Sequence, residues 1–235
     1  MSQSLFDPCP PSLIDTDALK LGIYQQPLQD VDLADWTIPG STLFGSRWRL
    51  KQWQHWMFVG PELMLTMAIV DIHYLKLAWI QSVQRSSGDH YEWATKGIMP
   101  RCKVARSLWN DHCIYQSGGL KLRFENQLND GMHRFHFEAK ASSSAPAIEG
   151  QLEAQHDLTR INPLVACLPI GENYAIYTHK VPLPVQGEVR IGEKSLRLNL
   201  NESVAFSDVH KAHYPRNTWW DWACLGFRTV DGRIC

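Results

Sequence analysis

The sequence contains no run of basic residues. Its 23 Lys and Arg are interspersed with 24 Asp and Glu, for a formal net charge of −1. Nothing in it would track a phosphate backbone, which argues against nucleic acid as a partner. No stretch of about 18 apolar residues occurs, so no membrane span is expected. The opening residues, MSQSLFDPCPPSLIDTD, lack both the basic start and the apolar run of a signal peptide. The cysteines are few and scattered: Cys9, Cys102, Cys113, Cys167, Cys224 and Cys235. They form no Cys-x-x-Cys pair and no Cys/His spacing of a zinc site, so no metal is expected. Reduced thiols and a cytoplasmic location are the corresponding expectation. Gly118-Gly119 is not followed by Lys-Ser or Lys-Thr, which removes the phosphate-loop reading, and no cofactor is expected.

Tryptophan, by contrast, is abundant. Ten tryptophans and an apolar fraction of 44% in 235 residues provide for a large core. Trp buries much apolar area while keeping an N–H that needs a partner, a combination suited to barrels, sandwiches and pockets for apolar ligands.

The dominant period is two. In WRLKQWQHWMFVG (48–60), Lys51, Trp53, His55 and Met57 share one face, and Gln52, Gln54, Trp56 and Phe58 the other. Gly60-Pro61 makes a turn. Residues 62–71 carry Leu63, Leu65, Met67 and Ile69 on one side, and residues 74–84 carry Leu75, Leu77, Trp79 and Val83 together. A helix competes for 62–84, but the Gly-Pro start and the later alternation favour strands. LKLRFEN (120–126), Asn129-Asp130-Gly131 and HRFHFEAKA (133–141) make the clearest hairpin. Residues 141–150 are small, polar and Pro-containing, a plausible linker. Short segments follow at 172–180, 187–191 and 195–200. Many short strands without a long helical period predict an all-β antiparallel barrel or sandwich. The expected organisation is an irregular lead-in over 1–45, a first β unit over 46–145 and a second over 150–235. Val230-Asp231-Gly232 is a turn signal followed by only three residues, so the second unit is expected to be incomplete. Self-association through an unpaired sheet edge then becomes an expectation as well.

Chemistry concentrates in SDVHKAHYPRNTWWDWA (207–223). If this segment is extended, Asp208 and His210 share a face. A carboxylate beside an imidazole orients it and raises its pKa, giving a candidate catalytic proton donor and acceptor. In the alternative, Asp208 caps a turn and His210 is solvated or hydrogen-bonded. Trp220 and Trp222 point one way on a strand, as a pocket wall or as core filling. Trp53, Trp56, His73, Trp79, Tyr214, Trp220 and Trp222 are the expected ligand contacts. Trp109, Asp111, His112 and Cys113 gather reactive side chains, but no elbow motif surrounds Cys113, which reads as a buried small hydrophobe.

KQWQHWMFVGPELMLTMAIVDIHYLKLAW (51–79) resembles the N-terminal half of a bacterial family, the domain of unknown function 2804. The matching residues are Lys51, Trp53, Trp56, Ala68, Ile69, Asp71 and Tyr74. YAIYTHKVPLPVQGEV (174–189) is similar through Thr178, Lys180 and Gly187. Residues 202–232 are similar through Asp208, Tyr214, Pro215, Thr218, Trp220, Trp222, Ala223 and Gly232. The resemblance implies a calycin-like, lipocalin-type architecture with two barrel-like halves, and members that continue past residue 235. It extends distantly to carotenoid hydratases and Diels–Alderase-like cyclases, which carry an Asp-His pair in a Trp-rich cavity. Their Asp-His-x-x-Gly spacing is absent here. The resulting expectation is a β cavity binding an apolar or amphipathic small molecule. A cofactor-free isomerase, cyclase or hydratase using Asp208 and His210 is the alternative, and a non-functional or partner-completed fragment the third.

Overall fold

The computed structural model describes residues 6–15 and 18–219, together with 221, 223, 229, 232 and 234. The lead-in is tied down by short pieces of structure. β1 (Ile14–Asp15) pairs with β2 (Ala18–Leu19), and β3 (Gly22–Tyr24) joins the main sheet. Leu13, Tyr24, Leu28, Val31 and Leu33 of this segment are buried in a second core cluster, shared with Val165, Tyr177 and Val209 of the later strands. The short helix α1 (Leu43–Arg49) follows, capped by the Thr42 hydroxyl, which accepts from Gly45 N at 3.0 Å. Arg47 and Arg49 sit in its last turn, where the helix dipole favours cations. Trp48 and Arg49, expected to open a strand, therefore belong to this helix.

Residues 50–97 form an antiparallel meander: β4 (Leu50–Val59), β5 (Leu63–Asp71), β6 (Lys76–Gln84) and β7 (His90–Gly97). The strand reading of 62–84 holds, and His73, with φ 70°, sits in the turn between β5 and β6. A second meander contains β8 (Arg101–Lys103), β9 (Asp111–Ser117), β10 (Leu120–Gln127), β11 (Met132–Ala139) and β12 (Ile148–Gln155). The remaining strands are β13 (Leu164–Pro169), β14 (Ala175–Ile191), β15 (Lys194–Leu198) and β16 (Val204–His213).

The segments expected separately at 172–180 and 187–191 are one 17-residue strand, β14. Its prolines are compatible with this. Val181 N–H turns toward β16 and reaches Ser207 Oγ at 3.2 Å, so Pro182 and Pro184 turn the other way. On that side β13 has already ended at Leu164 and β12 begins only opposite Val185, so no ladder bond is lost.

Apart from the separate β1–β2 pair, the strands make one antiparallel sheet, with its main path ordered β7-β6-β5-β4-β16-β14-β12-β11-β10-β9-β8. The first half of β14 pairs with β13 and β16, the second with β12 and β15. The expected units 46–145 and 150–235 both feed this sheet, since β16 lies between β4 and β14. The sheet curls into a half-barrel, so that the inner face of β4 meets β10 and β11. Trp56 packs edge-on to Phe135 at 4.7 Å between ring centroids, and Phe58 and Phe124 meet the same ring at 5.0 and 5.6 Å. Each such pair contributes about 0.5–1.5 kcal/mol beyond its burial. Among the described residues no helix is long and apolar enough to cross a membrane.

Candidate functional site

Alternation along β4 sends Gln54, Trp56 and Phe58 into the half-barrel and Lys51, Trp53 and His55 to its other side. Cross-strand partners share a face, so the pairing registers lay out that other side in rows. Lys180, Asp208, His55, Ala68 and Trp79 form one row. Thr178, His210, Trp53, Val70 and Leu77 form the next. Beyond β16 the chain turns back over this face. Trp53, Val70, Ile72, Leu77 and Trp79, with Tyr214, Pro215 and Thr218 from that turn, line an open cavity of about 580 Å³. Lys51, His55, Asp208 and Arg216 supply its polar lining.

Asp208 is 5% exposed and pairs with the Lys180 ammonium, while Trp53 Nε1 donates to its other oxygen at 3.4 Å. His55 stands opposite Asp208 on β4, and its ring lies 6.3 Å from that of Trp79. Burial holds the His55 imidazole below its ordinary pKa, with the Asp208 carboxylate acting in the opposite sense. His210 stacks on Trp53 at 3.8 Å and 9°, and its Nε2 lies 2.5 Å from the Tyr214 hydroxyl. Burial pushes the His210 pKa down to about 3 against the pull of Asp208, so the ring is neutral at neutral pH. Burial also raises the Tyr214 phenol. The Lys51 ammonium donates to the carbonyls of Trp48 and Ile72 at 3.1 and 3.3 Å and lies over the Tyr74 ring.

Trp53, Trp79, Asp208 and Tyr214 are thus brought together, with His210 one ring away. Trp56 is fully buried on the opposite face and packs in the core. His73 lies in its turn, edge-on to Trp48 at 5.8 Å, outside the cavity lining. Trp220 and Trp222 lie outside the described residues. His55 and Lys51 share strand parity with Trp53, a signal that would have placed them in the site. Lys180 and Arg216 carried no such signal, because their position depends on pairing across 28 residues and on the turn after β16.

The inner face holds a second polar group. Gln54 and Asn126 exchange amide hydrogen bonds at 2.8 and 3.2 Å, and Cys113 donates to Gln54 Oε1 at 2.8 Å. His133 links Asn126 to His156. Burial drives the Cys113 thiol up to about 12, so it is a packed thiol and not a nucleophile. Among the described residues no group of three His, Cys, Asp or Glu is disposed to hold a metal ion. A larger furrow of about 660 Å³ crosses the outer face of β11, β12 and β14. It is lined by charges such as Glu149 and Arg190, which pair with each other at 2.5 Å. That is an ordinary solvated sheet face, whereas the cavity beside Asp208 has aromatic walls.

The family model for Domain of unknown function (DUF2804) matches residues 13–235. The chain belongs to this family. No curated protein matches the DUF2804 chain. It is similar to a crystal structure of kievitone hydratase from Nectria haematococca, with 8% identity and a TM-score of 0.44, over 75% of this chain and 49% of that one. It is also similar to a candidate ATTH from Nitrosomonas europaea, with 13% identity and a TM-score of 0.42, over 72% of this chain and 53% of that one. The DUF2804 chain spans about half the length of these solved structures.

Proposed function

We propose that this chain binds an apolar or amphipathic small molecule in the cavity over β4, β5, β6 and β16. The observation that carries the proposal is the gathering of Trp53, Val70, Leu77 and Trp79 on the sheet face turned away from the core. A solvated face of an antiparallel sheet carries polar residues at such positions. A concave apolar surface with a few convergent polar groups is the usual form of a small-molecule site, and about 580 Å³ falls within the ordinary range of about 300–1,000 Å³. Native mass spectrometry of protein purified from its own host should reveal a co-purifying small molecule. Nile red should bind and take up energy from tryptophan, and Trp79→Ala should weaken that binding about tenfold, the value of a large buried aromatic contact. Absence of both a co-purifying molecule and a dye response would remove the proposal.

A second reading, cofactor-free isomerisation, cyclisation or hydration of an apolar substrate, has one observation in its favour. Asp208 and His210 are on the cavity side of one strand, with the Tyr214 hydroxyl at the imidazole. The neutral ring is not the proton donor in this arrangement. In its Nε2–H tautomer it donates to the phenol oxygen; Tyr214 would then pass its hydroxyl proton to the substrate, Asp208 would accept one from it, and return of that proton from Asp208 to the phenolate would reset the pair. Acid–base assistance of this type contributes about 10²- to 10⁴-fold. The test is deuterium incorporation from D2O into apolar enones and alkenes. Incorporation should stop in Tyr214→Phe and Asp208→Asn, and persistence in both variants excludes these residues.

A further inference from the structure

The charges around the cavity are unevenly placed along its length. At one end Asp208 is matched by Lys180, so that end is close to neutral. Four residues further along β4, about 13 Å at 3.3 Å per residue, the lining carries Lys51. The chain leaves β16 at this same end, where Tyr214 N donates to Arg49 O at 3.1 Å, and it brings Arg216 to the lining two residues later. Among the described residues lining the cavity, Asp208 is the one acidic side chain, and it belongs to the other end. An ammonium has three donors. Two of those on Lys51 go to the Trp48 and Ile72 carbonyls, and the group lies over the Tyr74 ring at 4.4 Å, contacts that hold it in place at the cavity wall. Between the two ends the walls are Trp53, Val70, Leu77 and Trp79.

We infer that the ligand is an amphipathic acid, with its anionic group at Lys51 and Arg216 and its apolar body lying along β4 toward Trp79. This rests on the binding reading above and specifies its ligand class. Asp71, the carboxylate that acts on Lys51, is already paired with Lys76 at 3.1 Å, so a neutral apolar ligand would leave this end with an excess of positive charge, and Lys51 and Arg216 would repel a cationic one. A carboxylate set between a fixed ammonium and a guanidinium gains charge-assisted hydrogen bonds.

The experiment is a displacement titration against Nile red with decanoate, decan-1-ol and decylammonium, which share one apolar chain and differ in head group. Decanoate should displace the dye about tenfold more effectively than decan-1-ol, the worth of one charge-assisted hydrogen bond at a partly exposed site. That ratio should fall to near one in Lys51→Met, and should also drop in Arg216→Gln, an exposed position whose change does not threaten folding. Equal displacement by acid and alcohol overturns the inference but leaves the cavity as a neutral-ligand site. Stronger displacement by decylammonium overturns it in favour of recognition through Asp208. A preference for decanoate that persists in both variants also overturns it, since the anion then binds elsewhere. If none of the three displaces the dye, the inference is overturned too; if no dye binds and no small molecule co-purifies, the binding reading itself is lost.

Discussion

Asp208 is held in place by what surrounds it, and its ion pair with Lys180 links two neighbouring strands, β14 and β16. The carboxylate side chain is 8% exposed and the ammonium 27%. Removing one partner from such a pair leaves a charge with little water to solvate it, at a cost of about 3–5 kcal/mol. Lys180→Met should therefore lower stability by about that amount in urea unfolding. Lys180→Met with Asp208→Asn should restore most of it, and equal losses in the single and double variants would show the pair to be unimportant. The buried histidines govern the response to acid. His156 and His213 are pushed down to about 4 and His210 to about 3, in each case by burial. An unfolded histidine titrates near 6.5, so the unfolded chain takes up protons first as the pH falls. Burial also holds His133 and His179 well below the ordinary value. Stability is thus fully present above about pH 6.5 and is lost toward pH 4, by about 1.4 kcal/mol per pH unit for each of these rings. The urea midpoint should fall steeply between pH 6.5 and 5. His213→Phe, which keeps the ring contact with Trp36, should reduce that slope by at most about a fifth, since five buried rings share it. A flat midpoint over this range would contradict the burial of these rings. The residue types of the site were legible where strand parity groups them, as with Trp53 and His55. The depressed histidines were not, since burial comes from packing partners distant in the sequence.

At the scale of elements, β14 decides the most. It passes from one half of the sheet to the other, and Gly187 sits just beyond the crossover with φ 141°. A Cβ there would lie 2.2 Å from Gln151 O and 2.8 Å from Leu152 Cα, both backbone atoms of the paired strand β12. Gly187→Ala should cost about 2–4 kcal/mol through strain and displaced pairing, measurable as a shift of the unfolding midpoint. A change under about 0.5 kcal/mol would mean that the two strands part easily. Short segments at 172–180 and 187–191 were readable from alternation and from Gly187. Their union was not, because prolines at 182 and 184 normally end a central strand, and only the absence of a ladder partner on that side admits them. The same limit applied to Trp48 and Arg49. Alternation from residue 48 onward matches a strand, while the Thr42 cap and the two arginines favour a last helical turn.

For the whole molecule the central fact is the insertion of β16 between β4 and β14, which joins the earliest long strand to one of the latest. Cooperativity should follow this connection. A chain ending before Val204 should lose Asp208, Tyr214 and Arg216 from the cavity and both of these pairings, and should show no single sigmoidal unfolding transition by circular dichroism. Retention of a cooperative transition would show that the first meander folds without β16. The all-β class, most strand positions and the face carried by each β4 residue were determined by the sequence alone, because a period of two in side-chain polarity is a local property that survives any arrangement of strands. The order of the strands, the depth at which Asp208 and His210 are buried, the pairing with Lys180 and the presence of cations at one end of the cavity were decided only by the tertiary structure. Each depends on contacts between segments far apart in the chain, and alternation says which face a side chain takes but not which neighbour it meets there.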